Sequence, residues 1–210
     1  EVRYRTIADR AARAVVGHSS GGFGALRLAI DRPDAFAVYG SHAGDCAFEV
    51  SIRPSFTSAA LTIGRAGGVA SFIRGFEERG PRGADDFLAI MTIATAACYA
   101  PAMDAPFPHC ELPFDLDTAL PVEATWARWL DHDPLHRLAR DPEAARGAAL
   151  VFLDAGDRDE HGLQFGARMM ADRLGARGAP VIHEEFEGAH RGTAHRYERS
   201  LPLLLSALLG

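Results

Sequence analysis

The segment Ala14-Val15-Val16-Gly17-His18-Ser19-Ser20-Gly21-Gly22-Phe23-Gly24-Ala25-Leu26 runs from an apolar stretch through Gly-x-Ser-x-Gly into a helix-like pattern. It reads as a buried strand, a sharp turn and a helix over residues 21–30, which puts Ser19 on strained backbone as the nucleophile of an elbow. Such a turn needs neighbours without a Cβ two residues to either side, positions held by Gly17 and Gly21. The N-terminus of the helix offers free N–H groups and the positive end of its dipole to an oxyanion formed at Ser19. With 21 glycines among 210 residues, the bare pattern also fits a Gly-rich turn of an ordinary α/β protein. Its weight comes from the strand before it, the further glycine at Gly24 and the helix after it.

Outward from the elbow, Arg32-Pro33-Asp34 stops the helix and Phe36–Ser41 reads as a second buried strand, so the crossover between them predicts parallel pairing. Strand patterns return at Ala148–Leu153 and Pro180–Phe186, separated by a helix over Leu163–Leu174. A last helix, interrupted by Pro202, closes the chain. Upstream, Val2–Arg13 has helical period, with Tyr4, Ile7, Ala8 and Ala11 on one face. Between the second and third strands, residues 45–146 lose the alternation and carry helical patches at Ala84–Tyr99 and Val122–Leu130 among Pro-rich segments. They predict a helical insertion or cap within one 210-residue domain. Phe48, Phe56, Phe72, Phe76, Trp126 and Trp129 give this insertion aromatic surface, better explained as its own core than as substrate contacts.

Composition narrows the chemistry. The chain has no Lys and no Asn, which excludes lysine-amine chemistry, a P-loop and a Cys-His-Asn triad. A net charge of −6 argues against a nucleic-acid footprint, and no apolar run is long enough to span a bilayer. Cys46, Cys98 and Cys110 are odd in number and widely spaced, which suits thiols in a reducing compartment such as the cytoplasm. No cysteine pair has zinc spacing, and Pro134 between His132 and His136 spoils a shared helical face, so neither a metal nor a cofactor is expected.

A serine nucleophile needs a base, and the base needs an acid to orient it. In parallel α/β sheets active groups gather at the carboxyl ends of strands. Ser19, the acidic loop Asp154–Glu160 and His190 each follow a predicted strand, in the chain order Ser, Asp, His. His190 sits at a strand exit beside Gly188. The other histidines have plainer readings: His183 in a strand, His195 on the last helix, His161 at a helix start, His18 as a packing neighbour, His42 as a pocket-lining residue. His109, in the Pro-rich stretch, has no evident partner. Spacing leaves Asp157 and Asp159 open as the acid, and a solvated acidic turn fits both.

The motifs Gly17-His18-Ser19-Ser20-Gly21-Gly22, Asp154-Ala155-Gly156-Asp157-Arg158-Asp159 and Glu187-Gly188-Ala189-His190 resemble those of the putative-esterase family of α/β hydrolases. That family includes esterase D, the enterochelin esterases and bacterial mycolyltransferases. The resemblance implies an α/β-hydrolase fold, here its C-terminal part, with about four parallel strands. It implies a serine esterase acting on a small-molecule ester through an acyl-enzyme, with Ser19 as nucleophile, Asp159 as acid, His190 as base and the Ser20 N–H in the oxyanion hole. Acyl transfer by the same three residues and a non-catalytic binding module are the alternatives. About four strands and a second oxyanion donor normally precede the elbow in such a fold. Their absence from this sequence leads us to expect either a fragment of a longer chain or a truncated fold, with a bare edge on the elbow strand and weak activity of the isolated chain.

Overall fold

Four parallel strands make one sheet in the order β1-β2-β3-β4, where β1 is Ala14–His18, β2 Val38–His42, β3 Leu150–Gly156 and β4 Val181–Phe186. The structure is a computed structural model, and it describes residues 3–209 except 142, 144 and 146. Helix α1 (Ser20–Asp31) follows β1, and α2 (Phe48–Ser51) follows β2. Next come α3 (Phe56–Arg65), α4 (Val69–Arg79), α5 (Ala84–Tyr99), α6 (Glu123–Leu130) and α7 (Pro134–Arg140). Helix α8 (Leu163–Gly175) joins β3 to β4, and α9 (Arg196–Leu209) comes last.

Strands β2 and β3 are buried along their whole length, whereas β1 and β4 at the edges are partly exposed. Parallel strands covered on both faces read as continuous apolar runs for this reason. On one face Tyr39, Val151 and Leu153 pack with Leu26 and Ile30 of α1, Leu138 of α7 and Met170 of α8. On the other, Val38, Leu150 and Phe152 pack on Leu204 of α9. A Cβ at Gly40 would stand 2.7 Å from Val16 and 3.0 Å from Leu204, so the missing side chain is what lets α9 close on the sheet. Pro202 does not interrupt that helix; α9 continues through it, held to the sheet on either side of the proline by the buried Ser200 and Leu204.

The chain divides into two compact units, Glu1–Ser51 with Asp133–Gly210, and Ile52–His132. The second is shorter at both ends than a 45–146 insertion, because Asp133 ties residues on both sides of the gap to the sheet-bearing unit. Its carboxylate accepts the N–H groups of Ala47 and Leu135 at 2.9 Å and of Phe48 at 3.0 Å. Phe48 therefore belongs to the first unit. Within Ile52–His132, α3 to α6 enclose an aromatic core. Phe56 packs on Phe114 and Trp126 at ring separations of 4.8 and 5.1 Å, the buried Trp129 lies 6.1 Å from Trp126, and the buried Phe72 packs on Phe76 at 5.9 Å.

The helix expected over 2–13 does not form. Val2 lies outside the described residues, and only Arg10–Ala12 makes a single 3-10 turn, capped by Asp9. Tyr4 and Ile7 are 75% and 69% exposed, so the apolar face that periodicity suggested has nothing to bury against.

Candidate active site

A sharp turn stands between β1 and α1, at the position the sequence marks. Ser19 ends the turn between β1 and α1 with φ 55° and ψ −122°, a conformation that is costly for a residue with a Cβ. A Cβ on Gly17 would collide with the backbone of Gly21, which explains that glycine; Gly21 itself faces open space. Crowding falls instead on Gly22, where a Cβ would lie 2.8 Å from Gly44 and 2.9 Å from the Ser41 hydroxyl. The elbow is thus pressed against the end of β2. The Ser20 N–H, at the first position of α1, has no intrahelical acceptor and stands beside Ser19.

Three loops at the carboxyl ends of β1, β3 and β4 bring Ser19, Asp159 and His190 together. Asp159 accepts from His190 Nδ1 at 2.9 Å, and Ser19 Oγ lies 3.0 Å from His190 Nε2. A carboxylate only accepts, so Nδ1 carries the hydrogen and neutral Nε2 is left to take the Ser19 hydroxyl proton. The hydrogen bond that His190 donates to Asp159, and then the charge of that carboxylate, raise the His190 pKa above the ordinary histidine value. Burial works against the charge on Asp159, yet its hydrogen bonds from His190 and the His161 N–H hold its carboxyl below the usual range.

Asp157, the other acid that spacing allowed, does different work. It accepts the Gly188 N–H at 3.0 Å, and Arg158 N–H donates to the Gly188 carbonyl at 2.9 Å, clasping the β3 and β4 exit loops together. Gly156 is needed at this junction because a Cβ there would strike the Gly188 backbone.

Several neighbours surround His190 to which the sequence reading gave no part in the site. His18 donates from Nε2 to the His190 carbonyl at 3.1 Å, and Glu160 accepts the His190 N–H at 3.0 Å. The His161 ring stands edge-on to His190 at 4.8 Å. Burial lowers the His18 pKa, assisted by the charge of His190. Burial raises the Asp45 pKa, against the attraction of His190 and His161. Nothing in local sequence marks Asp45, because only the fold carries the loop after β2 towards His190.

The family model described as Putative esterase matches residues 1–202. The chain belongs to that family. Solved structures with the same fold include S-formylglutathione hydrolase FrmB from Staphylococcus aureus, at 13% identity and a TM-score of 0.50 over 100% of this chain and 59% of that one. A ferulic acid esterase matches at 16% identity and a TM-score of 0.51, over 100% of this chain and 56% of that one. The chain thus spans under three-fifths of the length of these two structures, and it shares their α/β-hydrolase fold. No curated protein matches the sequence.

Other histidines settle elsewhere. His42 does not line a pocket: it is 2% exposed and bonded at both ring nitrogens within the first unit. His195 precedes α9 rather than lying on it, edge-on to Phe186 at 5.9 Å. His132 stacks on Tyr99 at 4.1 Å, and His109 donates to the Ala105 carbonyl at 2.8 Å. Among the described residues no group of three or more His, Cys, Asp or Glu side chains has a metal-holding arrangement, and no helix is long and apolar enough to cross a membrane.

Proposed function

We propose that the chain hydrolyses carboxylic esters of small molecules through an acyl-enzyme on Ser19. The observation that carries this reading is the 3.0 Å approach of Ser19 Oγ to His190 Nε2, with Asp159 behind the ring and the serine on strained elbow backbone. His190 takes the hydroxyl proton as Oγ attacks the ester carbonyl, and Asp159 stabilises the imidazolium that forms. The Ser20 N–H donates to the developing oxyanion. His190 then protonates the leaving alcohol, and water, activated by the same ring, releases the acid. His18 and Glu160 hold the His190 backbone, so that the ring need not be ordered during the reaction. We read the whole chain as one α/β-hydrolase domain, with residues 52–132 inserted between β2 and β3.

The test is turnover of a short-chain aryl ester by the parent chain and by Ser19→Ala. A loss of about a thousandfold or more is expected, whereas turnover unchanged by the substitution would refute the reading.

A further inference from the structure

A second Ser-His-Asp relay lies inside the same unit. His42 Nδ1 donates to Asp154 Oδ1 at 2.7 Å, and the Ser200 hydroxyl lies 2.9 Å from His42 Nε2. Asp154 Oδ2 accepts from Arg196 Nε at 2.8 Å, and Arg196 also pairs with Glu184 at 2.6 Å. Ser200, His42 and Asp154 are 0%, 2% and 1% exposed, so no substrate reaches this serine and it is not a second active site. Both ring nitrogens and both carboxylate oxygens are nonetheless occupied, which fixes the ring rather than merely tolerating it. Phe152 and Tyr197 pack beside it at ring separations of 5.5 and 4.6 Å.

What this fixed ring holds is visible in its own main chain. The His42 carbonyl accepts the Ser19 N–H at 2.8 Å, and His42 pairs with His18 in the β1–β2 ladder. On the next residue, the Ala43 N–H donates to the Asp154 carbonyl at 2.7 Å. A residue in the left-handed region keeps that conformation only where its surroundings over-determine it. For Ser19 those surroundings are the His42 carbonyl and the contact of Gly22 with Gly44 and Ser41.

We propose that His42 is a positioning residue for the elbow: its ring, anchored to Asp154 and Ser200, holds the carbonyl that fixes the Ser19 backbone. The role rests on reading Ser19 as the nucleophile. It accounts for a buried charged network that makes no contact with the Ser19, His190 or Asp159 side chains. Through Arg196, whose guanidinium lies 4.7 Å over the Phe186 ring, the same network braces the strand leading to the His190 loop.

The test compares His42→Phe, which fills the space but offers no hydrogen bond, with Leu204→Ala, which loosens the same helix by deleting apolar contact only. Amide hydrogen exchange at Ser19, followed by NMR, reads the elbow whether or not the chain turns over. His42→Phe is expected to speed exchange at Ser19 by about tenfold or more and to lower kcat by about tenfold with KM within about twofold. Leu204→Ala is expected to lower the melting temperature without either effect. Parent-like Ser19 exchange in His42→Phe, or equal acceleration in both variants, overturns the proposal. Where His42→Phe does not fold, Ser200→Ala removes only the Nε2 partner, and Ser19 exchange about threefold faster is expected, parent-like exchange overturning the proposal. A parent chain whose turnover survives Ser19→Ala defeats the hydrolase reading alone, and the exchange rates still decide whether His42 holds the elbow.

Discussion

Ser19–His190–Asp159 and Ser200–His42–Asp154 are two relays of the same side chains at nearly the same spacings, 3.0 and 2.9 Å against 2.9 and 2.7 Å. Their surroundings differ in every other respect. Ser19 is half-buried at a strained turn, with the first N–H of α1 beside it. Ser200 is fully buried in the first turns of α9. Hydrogen-bond geometry is therefore common to both, and on the proposed function what separates a reactive hydroxyl from a structural one is access and a nearby unsatisfied donor. On the two proposals made above, one arrangement of atoms serves chemistry at the mouth of the sheet and rigidity inside it.

The sharpest way to break this contrast is to delete each hydroxyl in turn. Ser19→Ala is expected to lower ester turnover by about a thousandfold or more, and Ser200→Ala by no more than a few-fold, both read as kcat/KM. Deleting the acids follows in size. Asp159→Asn is expected to reduce kcat by roughly a hundredfold to ten-thousandfold, because the amide favours the wrong tautomer of His190. Asp154→Ala is expected to act on stability instead, costing about 3 kcal/mol in denaturant unfolding by stranding Arg196 and His42.

A pH profile sharpens the same comparison. His190 must be neutral to accept a proton, and Asp159 raises its pKa, so kcat/KM should fall as pH drops through a midpoint higher than that of an unperturbed histidine. In Asp159→Asn this acid limb should move to lower pH, while in Ser200→Ala it should stay where it is. The smallest effect belongs to Ser20→Ala, which keeps the backbone donor and should leave kcat/KM within about threefold.

Much of the sheet was legible because β2 and β3 are covered on both faces and so open on apolar residues, Val38-Tyr39 and Leu150–Leu153. Helix α5 begins and ends where its pattern does, at Ala84 and Tyr99. The N-terminal segment misled because periodicity records which face would be buried, not whether anything stands there to bury it. Ser19 and His190 could be picked out by their place after strands, whereas Asp157 and Asp159 could not be separated by spacing. Asp157 is exposed and accepts the Gly188 N–H, whereas the buried Asp159 accepts from the His190 imidazole as well as from the His161 N–H. His42 was misjudged for a related reason. A histidine at a strand end looks solvent-facing until α9, about 158 positions away in sequence, covers it with Ser200. Long-range partners of this kind leave no local trace.

The most direct measurement is reaction of the folded chain with a fluorophosphonate, followed by mass spectrometry of its peptides. A single adduct on Ser19, lost in His190→Ala and never found on Ser200, is the expected result. An unmodified chain, or an adduct that forms as readily without His190, would contradict the assignment of Ser19 as the activated nucleophile.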